Sequence, residues 1–397
     1  VTNQASAQPL RVLFAARADL RSAPGGDTAQ ILGTAAALRE LGVQVTIGGP
    51  DEPDPAGFDL VHLWHLERTH ESYLPLIRAR RAGVPVALSP IYWPAGGVPR
   101  RVHARMRWRH LREDVKNVAR LLRSSCSARA GIAAALRVGW ARARHELLCL
   151  PDVLLPNSRA EARMLSEELG LVAGGNGPLI EVVVNAADLE MARRVRAEPG
   201  ADPREGVVCV GHFDVRKNQR SLIEAVRGTG IRLTLAGGAR RNHEWYARAC
   251  RRAAPSNVTF TGPLPPVEAL RLMRRARVHV CPSRYETPGL VNLEAAFMGC
   301  AVVLPDCPPV RDYFEDRGEY ARPDPESLRA ALRRALEAGP DPELPGLIER
   351  CFTWARAAEQ TLSAYRRVLS NYNRRVVPIV GTAPCLPSTL PAGCSPA

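Results

Sequence analysis

Glu286 and Glu294 stand with seven residues between them in Cys281-Pro-Ser-Arg-Tyr-Glu-Thr-Pro-Gly-Leu-Val-Asn-Leu-Glu-Ala-Ala-Phe-Met-Gly-Cys300. An ionised carboxylate only accepts hydrogen bonds, so such a pair suits the hydroxyls of a sugar or a ribose. From about Gly289 the residues suit a helix. The first N–H groups of a helix lack partners within it and favour an anion such as phosphate. Arg216 and Lys217 add two adjacent cations, a planar fork and a point charge, which suit a diphosphate. Gly25-Gly26 is a turn that lets the backbone approach a phosphate or a sugar, and Tyr92-Trp93 offers two aromatic faces on which a sugar ring can stack. Each feature also has an ordinary reading: solvated glutamates, a surface cation pair, a plain tight turn, aromatics packed beneath a loop.

The elements that must hold these residues alternate. In the first half, apolar runs at 11–16, 43–48, 60–63, 84–89, 152–157 and 180–184 read as strands, with helices between them, including one over 71–82. The helix that begins at Gly25-Gly26 takes Asp27 or Thr28 as its cap and ends at Gly42. A charged stretch, 189–204, reads as a linker. The alternation then starts again, with strands at 207–210, 231–236, 258–261, 278–281 and 301–304. Helices are expected at 221–226, 266–275 and 326–338. Such alternation implies parallel sheets with helices on both faces, and ligands at the carboxyl ends of the strands. Two such units joined by a linker leave a cleft between them. Beyond Pro345, residues 347–369 suit one or two helices, and 376–397 carries no charge and is expected to be disordered.

The chain has 397 residues, 54 basic against 40 acidic, for a net charge of +14. The excess concerns partners rather than fold. Nearly all of it is arginine, which also fits a GC-rich genome. Residues 100–144 hold twelve arginines and Lys116, with Trp108, Leu111, Val115, Val118 and Leu122 at helical spacing. That basic amphipathic segment reads either as a face for an anionic membrane surface or acceptor, or as a solvated face on a packed helix. No recognition-module signature accompanies the charge, so nucleic acid is not expected as a partner. The ten cysteines show no metal-binding spacing, which points to no metal and to a reducing, cytoplasmic setting. No run of about 18 apolar residues and no leader is seen.

Taken together, Gly25-Gly26, Asn157-Ser158, Asn185 to Asp188, Val210-Gly211 with Lys217-Asn218, Gly237-Gly238, Phe260-Thr-Gly262 and Pro282-Ser283 through Gly299 resemble the retaining glycosyltransferases of family 4. The resemblance implies the GT-B fold: two facing Rossmann-like, doubly wound α/β domains with an interdomain cleft and C-terminal helices crossing back. On that plan 1–198 is the acceptor-side domain, with 100–146 as its basic helical segment. Residues 199–345 form the donor domain, 346–375 the returning helices and 376–397 the tail. The activity implied is transfer of a sugar from a nucleotide-diphosphate-sugar donor to a glycan, lipid-linked or other acceptor, with configuration retained and without metal or other cofactor. A role in bacterial surface polysaccharide assembly, at the inner face of the membrane, follows by analogy.

By position, Glu286 meets the donor sugar, Glu294 the ribose, and the N–H groups of Gly289, Leu290 and Val291 the diphosphate. Lys217, Arg216 and His212 neutralise the diphosphate, near Gly237 and facing Gly25-Gly26. Tyr92 and Trp93 stand on the acceptor side. Three departures mark the chain. His212 occupies the usual arginine position, Ser89-Pro-Ile-Tyr-Trp93 stands where a histidine is usual, and Asn185-Ala-Ala-Asp188 and Pro308-Pro309 replace glycine-containing turns. A nucleotide-sugar epimerase of the same fold, or a binding protein without activity, are the competing readings.

Overall fold

In the computed structural model the described residues are 8–50, 52–93, 126–170, 177–200, 203–240 and 243–372. They contain two six-stranded parallel sheets. The first sheet holds β1 (Arg11–Ala15), β2 (Gln44–Gly48), β3 (Leu60–Trp64), β4 (Val86–Ser89), β5 (Val153–Leu154) and β6 (Leu179–Ile180) in the order β2-β1-β3-β4-β5-β6. The second holds β7 (Val207–Val210), β8 (Leu233–Ala236), β9 (Val258–Gly262), β10 (Val278–Val280), β11 (Ala301–Pro305) and β12 (Glu319–Ala321) in the order β12-β11-β10-β7-β8-β9. β3, β4, β10 and β11 are buried at every position, as sheets covered on both faces require. Each order reverses once, between β1 and β3 and between β7 and β10. The carboxyl ends of the strands diverge there and open a crevice for ligands.

Two expectations differ from the structure, and two helices were not foreseen. The strand expected at 180–184 pairs as a strand only at Leu179–Ile180, although the Glu181 and Val183 N–H groups still reach the Leu154 and Pro156 carbonyls. The stretch expected as linker contains the helix Leu189–Arg196, capped by Asp188. Its Leu189, Ala192 and Val195 are buried in the core of the second half, so the charge on its outer face masked an apolar stripe. Pro308-Pro309 opens the helix Pro308–Phe314, because a proline at the first helical positions removes an N–H that had no partner there. The helix Glu244–Ala253 was also unforeseen.

The last helix, Trp354–Tyr372, packs along Gly26–Glu40 and buries Ala357, Ala358, Leu362, Ala364, Tyr365 and Val368 in the core of the first sheet. At the crossing, a Cβ on Gly33 would lie 2.4 Å from the Trp354 ring, so only glycine permits this approach. Tyr365 hydroxyl meets His62 Nδ1 at 2.5 Å inside that core, while His62 Nε2 meets Ser89 Oγ at 2.9 Å. Burial pushes the His62 ring down to about 3, so it is neutral there.

The two halves also meet through side chains. Asp312 Oδ2 accepts the Ala160 N–H at 2.6 Å, at the start of the helix Arg159–Leu169. Tyr313 hydroxyl donates to the Asn157 carbonyl at 2.5 Å and accepts the Asn185 N–H at 2.7 Å. Gln30, Asn157 and Asn185 close a buried amide network beside it.

Of the basic segment, 126–146 is described, together with 147–149, as the helices Cys126–Val138 and Trp140–Cys149. They bury Ile132, Ala135, Ala143, Leu147 and Leu148 against Thr69–Arg81. This part is a packed helical pair, its Arg144 joined to Glu168 and its Arg142 to Glu146. Residues 100–125 and the tail 376–397 lie outside the described residues. Among the described residues no helix is long and apolar enough to cross a membrane.

Candidate active site

At the β7/β10 reversal two loops leave the sheet side by side. The loop after β7 carries Gly211 to Asn218, and the loop after β10 carries Cys281 to Gly289. Their meeting point is an ion pair between Lys217 Nζ and Glu286 Oε1. The Glu286 side chain is 4 % exposed and that of Lys217 is 31 % exposed, so the carboxylate lies beneath and the ammonium partly faces the crevice. Ser283 Oγ donates to the same Glu286 oxygen at 2.7 Å, and the Cys281 thiol stands 3.7 Å from it. Burial pulls the Lys217 ammonium down, but the Glu286 carboxylate more than offsets this and leaves it above its ordinary value. Lys217 therefore stays a cation at neutral pH. Asn218, in a left-handed turn, anchors the loop by donating to the Pro282 and Pro323 carbonyls.

Gly289 caps the helix Leu290–Phe297 with φ +84°, and a Cβ there would come within 2.7 Å of Asn292 Nδ2 and 3.4 Å of the Glu286 carboxyl carbon. Glycine is needed on both counts. The Leu290 and Val291 N–H groups sit in the first turn of this helix, beside the Lys217–Glu286 pair, where helix N–H groups have no carbonyl four residues back. Glu294 follows one turn later. Burial, and after it the Asp188 carboxylate, push its carboxyl up to about 7. Asp188 belongs to the Asn185-Ala-Ala-Asp188 turn, which is thereby brought to the helix Leu290–Phe297.

The remaining sequence candidates divide. Gly237 lies at the end of β8, where a Cβ would strike the Gly211 carbonyl oxygen at 2.0 Å, so the two strand ends meet as closely as backbone allows. His212 is exposed at the end of β7, and its carbonyl accepts Gln219 Nε2 at 2.8 Å. Arg216 is committed to Asp214 at 3.0 Å, and its guanidinium also lies 5.2 Å from the centre of the Trp93 ring. Trp93 in turn lies 5.8 Å from Tyr285, so it bridges the first half to the loop after β10. Tyr92 turns the other way. Its ring packs against the first core beneath Arg144, and its N–H goes to buried Glu161 at 2.7 Å, which corrects the expectation of a stacking face there. Burial pushes Glu161 up to about 7.

A second cluster was not foreseen. At the β1/β3 reversal, Asp27 Oδ2 accepts from Arg17 Nε at 2.5 Å and faces His65 Nε2 at 3.0 Å. Arg17 also reaches Asp19 at 2.6 Å, and Arg68 joins Asp19 and Glu71 at 3.1 and 2.9 Å. Burial alone would raise the Asp27 carboxyl, but His65 and Arg17 hold it well below the usual carboxylate range. Gly25 caps the helix Gly26–Glu40 beside it, and Arg240 of the second half reaches over to the Ala23 carbonyl at 3.4 Å. Gly25 and Gly26 thus lie at the β1/β3 reversal, with Asp27 and His65 beside them. Among the described residues no group of three or more His, Cys, Asp or Glu stands where it could hold a metal ion.

The two facing, doubly wound domains with returning C-terminal helices are the GT-B fold. Residues 204–338, which contain the Lys217–Glu286 pair, match the family described as "Glycosyl transferases group 1". The chain is 32 % identical over 197 residues to alpha-maltose-1-phosphate synthase of Mycolicibacterium smegmatis, covering 44 % of this chain and 51 % of that protein. It is 28 % identical over 249 residues to D-inositol 3-phosphate glycosyltransferase of Segniliparus rotundus, covering 56 % of this chain and 54 % of that protein. The chain spans about half the length of these curated relatives. Among solved structures, sucrose-phosphate synthase from Thermosynechococcus elongatus superposes with a TM-score of 0.64 at 18 % identity, covering 91 % of this chain and 100 % of that one. Anabaena HepE in complex with UDP and glucose superposes with a TM-score of 0.62 at 15 % identity, covering 90 % and 99 %.

Proposed function

We propose that this chain is a glycosyltransferase that takes a sugar from a nucleoside-diphosphate-sugar held at the β7/β10 crevice and passes it to a hydroxyl of an acceptor held at the β1/β3 crevice. The observation that carries the reading is the Lys217–Glu286 pair beside the free helix start at Gly289 to Val291. In the reaction the bond between the anomeric carbon and the diphosphate oxygen breaks, and negative charge grows on the leaving oxygens. Lys217 and the N–H groups of Gly289, Leu290 and Val291 are fixed before the reaction, so they stabilise that charge without reorganising, and one such donor is worth about 3 kcal/mol of barrier. Glu286 accepts hydrogen bonds from the sugar hydroxyls, and Glu294 from the ribose.

The acceptor oxygen forms the new bond to the anomeric carbon, and its proton passes to the leaving phosphate oxygen. Configuration is retained and no metal takes part, on the likeness to family 4. Relatives whose names specify sugar or inositol phosphate chemistry support a hydroxylated acceptor, and a glycan or lipid-linked acceptor in surface polysaccharide assembly is the reading by analogy. Asp27 and His65 are the groups placed to accept from and orient the acceptor hydroxyl.

The test is a panel of nucleotide sugars with and without candidate acceptors, read by mass spectrometry and by the anomeric proton signals of the product. A new glycoside of the donor's own anomeric configuration is expected. Conversion of the sugar nucleotide without acceptor would mean an epimerase instead, and tight nucleotide binding without turnover a binding protein.

A further inference from the structure

His279 and Asn292 are both 0 % exposed, and neither touches the ion pair directly. His279 lies in β10, whose carboxyl end opens the donor crevice, and Asn292 lies in the first turn of Leu290–Phe297. Two fully buried polar side chains that face each other must satisfy each other or cost stability. Asn292 Nδ2 donates to the Pro288 carbonyl at 2.8 Å, and that bond fixes which way round the amide sits. Asn292 Oδ1 therefore faces His279 Nε2, 3.2 Å away, so Nε2 must carry the proton. His279 Nδ1, left unprotonated, is an acceptor with no partner, so the Asn292 bond is the one hydrogen bond of this ring among the described residues. Burial, with Lys217 adding to it, pushes the ring down to about 4 against the opposing Asn292 bond, which agrees with a neutral donor.

The consequence falls on one peptide plane. The Pro288–Gly289 bond is trans. In a planar trans peptide the carbonyl and the N–H point in opposite directions. With the Pro288 carbonyl drawn inward to Asn292, the Gly289 N–H is turned outward, away from His279 and Asn292. Gly289 has φ +84° and no side chain to resist a rotation of that plane, so the Asn292 bond is what holds it.

We propose that His279 and Asn292 are positioning residues for the donor diphosphate: through the Pro288 carbonyl they hold the Gly289 N–H aimed at the anion. The assignment rests on the donor reading of the β7/β10 crevice and deepens it. His279 fixes the amide, the amide fixes the carbonyl, and the carbonyl fixes the donor that meets phosphate. Nothing in this chain of contacts reaches the nucleoside, so its effect is confined to the phosphates.

The experiment compares calorimetric affinities of the full chain for the preferred nucleoside diphosphate and for the same nucleoside without phosphate. The variants are Asn292→Leu, His279→Leu and His279→Gln. Asn292→Leu is expected to weaken the diphosphate about 10-fold, the weight of one hydrogen bond to a charged group, and to leave the nucleoside unchanged. His279→Leu is expected to act in the same direction and more weakly. His279→Gln, whose Nε2 can donate from the same place, is expected to restore the wild-type ratio. Should Asn292→Leu not fold, the two His279 variants carry the comparison. Equal loss of both ligands, no loss of either, or failure of Gln to rescue overturns the proposal and leaves the donor reading standing. A wild-type chain that binds diphosphate no better than nucleoside overturns the donor reading and this one with it.

Discussion

The two sheets reverse their strand order at β1/β3 and at β7/β10, and the crevices at these reversals are furnished differently. The second is spare: one ammonium over one buried carboxylate, a glycine and a helix start. Its ammonium is paired with Glu286 but its side chain is partly exposed, so it and the N–H groups of the helix start can still donate to a ligand. The first is crowded: Arg17 and Arg68 are answered by Asp19, Asp27 and Glu71, with His65 against Asp27. Its cations are already neutralised by neighbouring carboxylates. A crevice with partly exposed donors and a helix start suits an anion, whereas one whose charges are tied into a dense ion-pair network suits hydroxyls that exchange hydrogen bonds with fixed partners. On the proposed reading, the same topology provides one wall for a diphosphate and one for a neutral, hydroxylated group.

The comparison breaks most easily at Lys217. Lys217→Ala is expected to lower kcat by about 100- to 1,000-fold, the usual consequence of removing one preorganised group that stabilises a developing charge. Steady-state rates at saturating donor check this, with circular dichroism to confirm folding.

On the other wall, His65→Ala is expected to lower kcat/KM for the acceptor by about 10- to 100-fold, the weight of one or two hydrogen bonds to a charged network. The dissociation constant of the donor nucleotide is expected to stay where it was. A parallel loss of nucleotide affinity in His65→Ala would erase the division between the two walls.

Gly33→Ala touches neither crevice and serves as the control. It forces the Trp354 ring from its place and is expected to destabilise the fold by about 1–3 kcal/mol in denaturant titrations, with both ligand affinities kept in the folded protein.

The smallest effect concerns Glu294. Its carboxyl is raised from 4.5 to about 7, so its contribution to stability is complete below about pH 4.5 and is lost as the pH rises through 7. Glu294→Gln is expected to melt a few degrees above the wild type at pH 8, and level with it at pH 4. Saturating nucleoside diphosphate is expected to reverse that order at pH 8, because the carboxylate then has ribose hydroxyls to accept from. Differential scanning calorimetry at the two pH values reads both signs.

The two crevices also differ in how far they could be read from the chain. Glu286, Gly289 and Glu294 fall within one strand-loop-helix, where spacing along the sequence is nearly spacing in the site. Lys217 follows its strand in the same way. Arg17, Asp27 and His65 are separated by 10 and 38 positions, and only the β1/β3 reversal gathers them, so no local pattern marks them. Trp93 was legible as an aromatic at a strand end, but its contact with Arg216 depends on how the halves face each other. Tyr92, its neighbour, shares the same local signal and points the other way, since adjacent side chains leave a chain in extended form on opposite sides. The helix Leu189–Arg196 hid behind four charged positions, Glu190, Arg193, Arg194 and Arg196, and Pro308-Pro309, read only as replacing a glycine-containing turn, stands at a helix start. Buried pairings such as His62 with Tyr365 and His279 with Asn292 carry no sequence signature at all.

The central claim is that the β7/β10 crevice holds a nucleoside diphosphate, and the most direct test is calorimetric titration of the full chain with UDP, ADP and GDP. Wild type is expected to bind one of them, Lys217→Ala to bind it at least about 30-fold more weakly, in line with loss of a charge-assisted contact, and Glu294→Ala to bind it more weakly as well. Unchanged affinity in both variants would contradict the account.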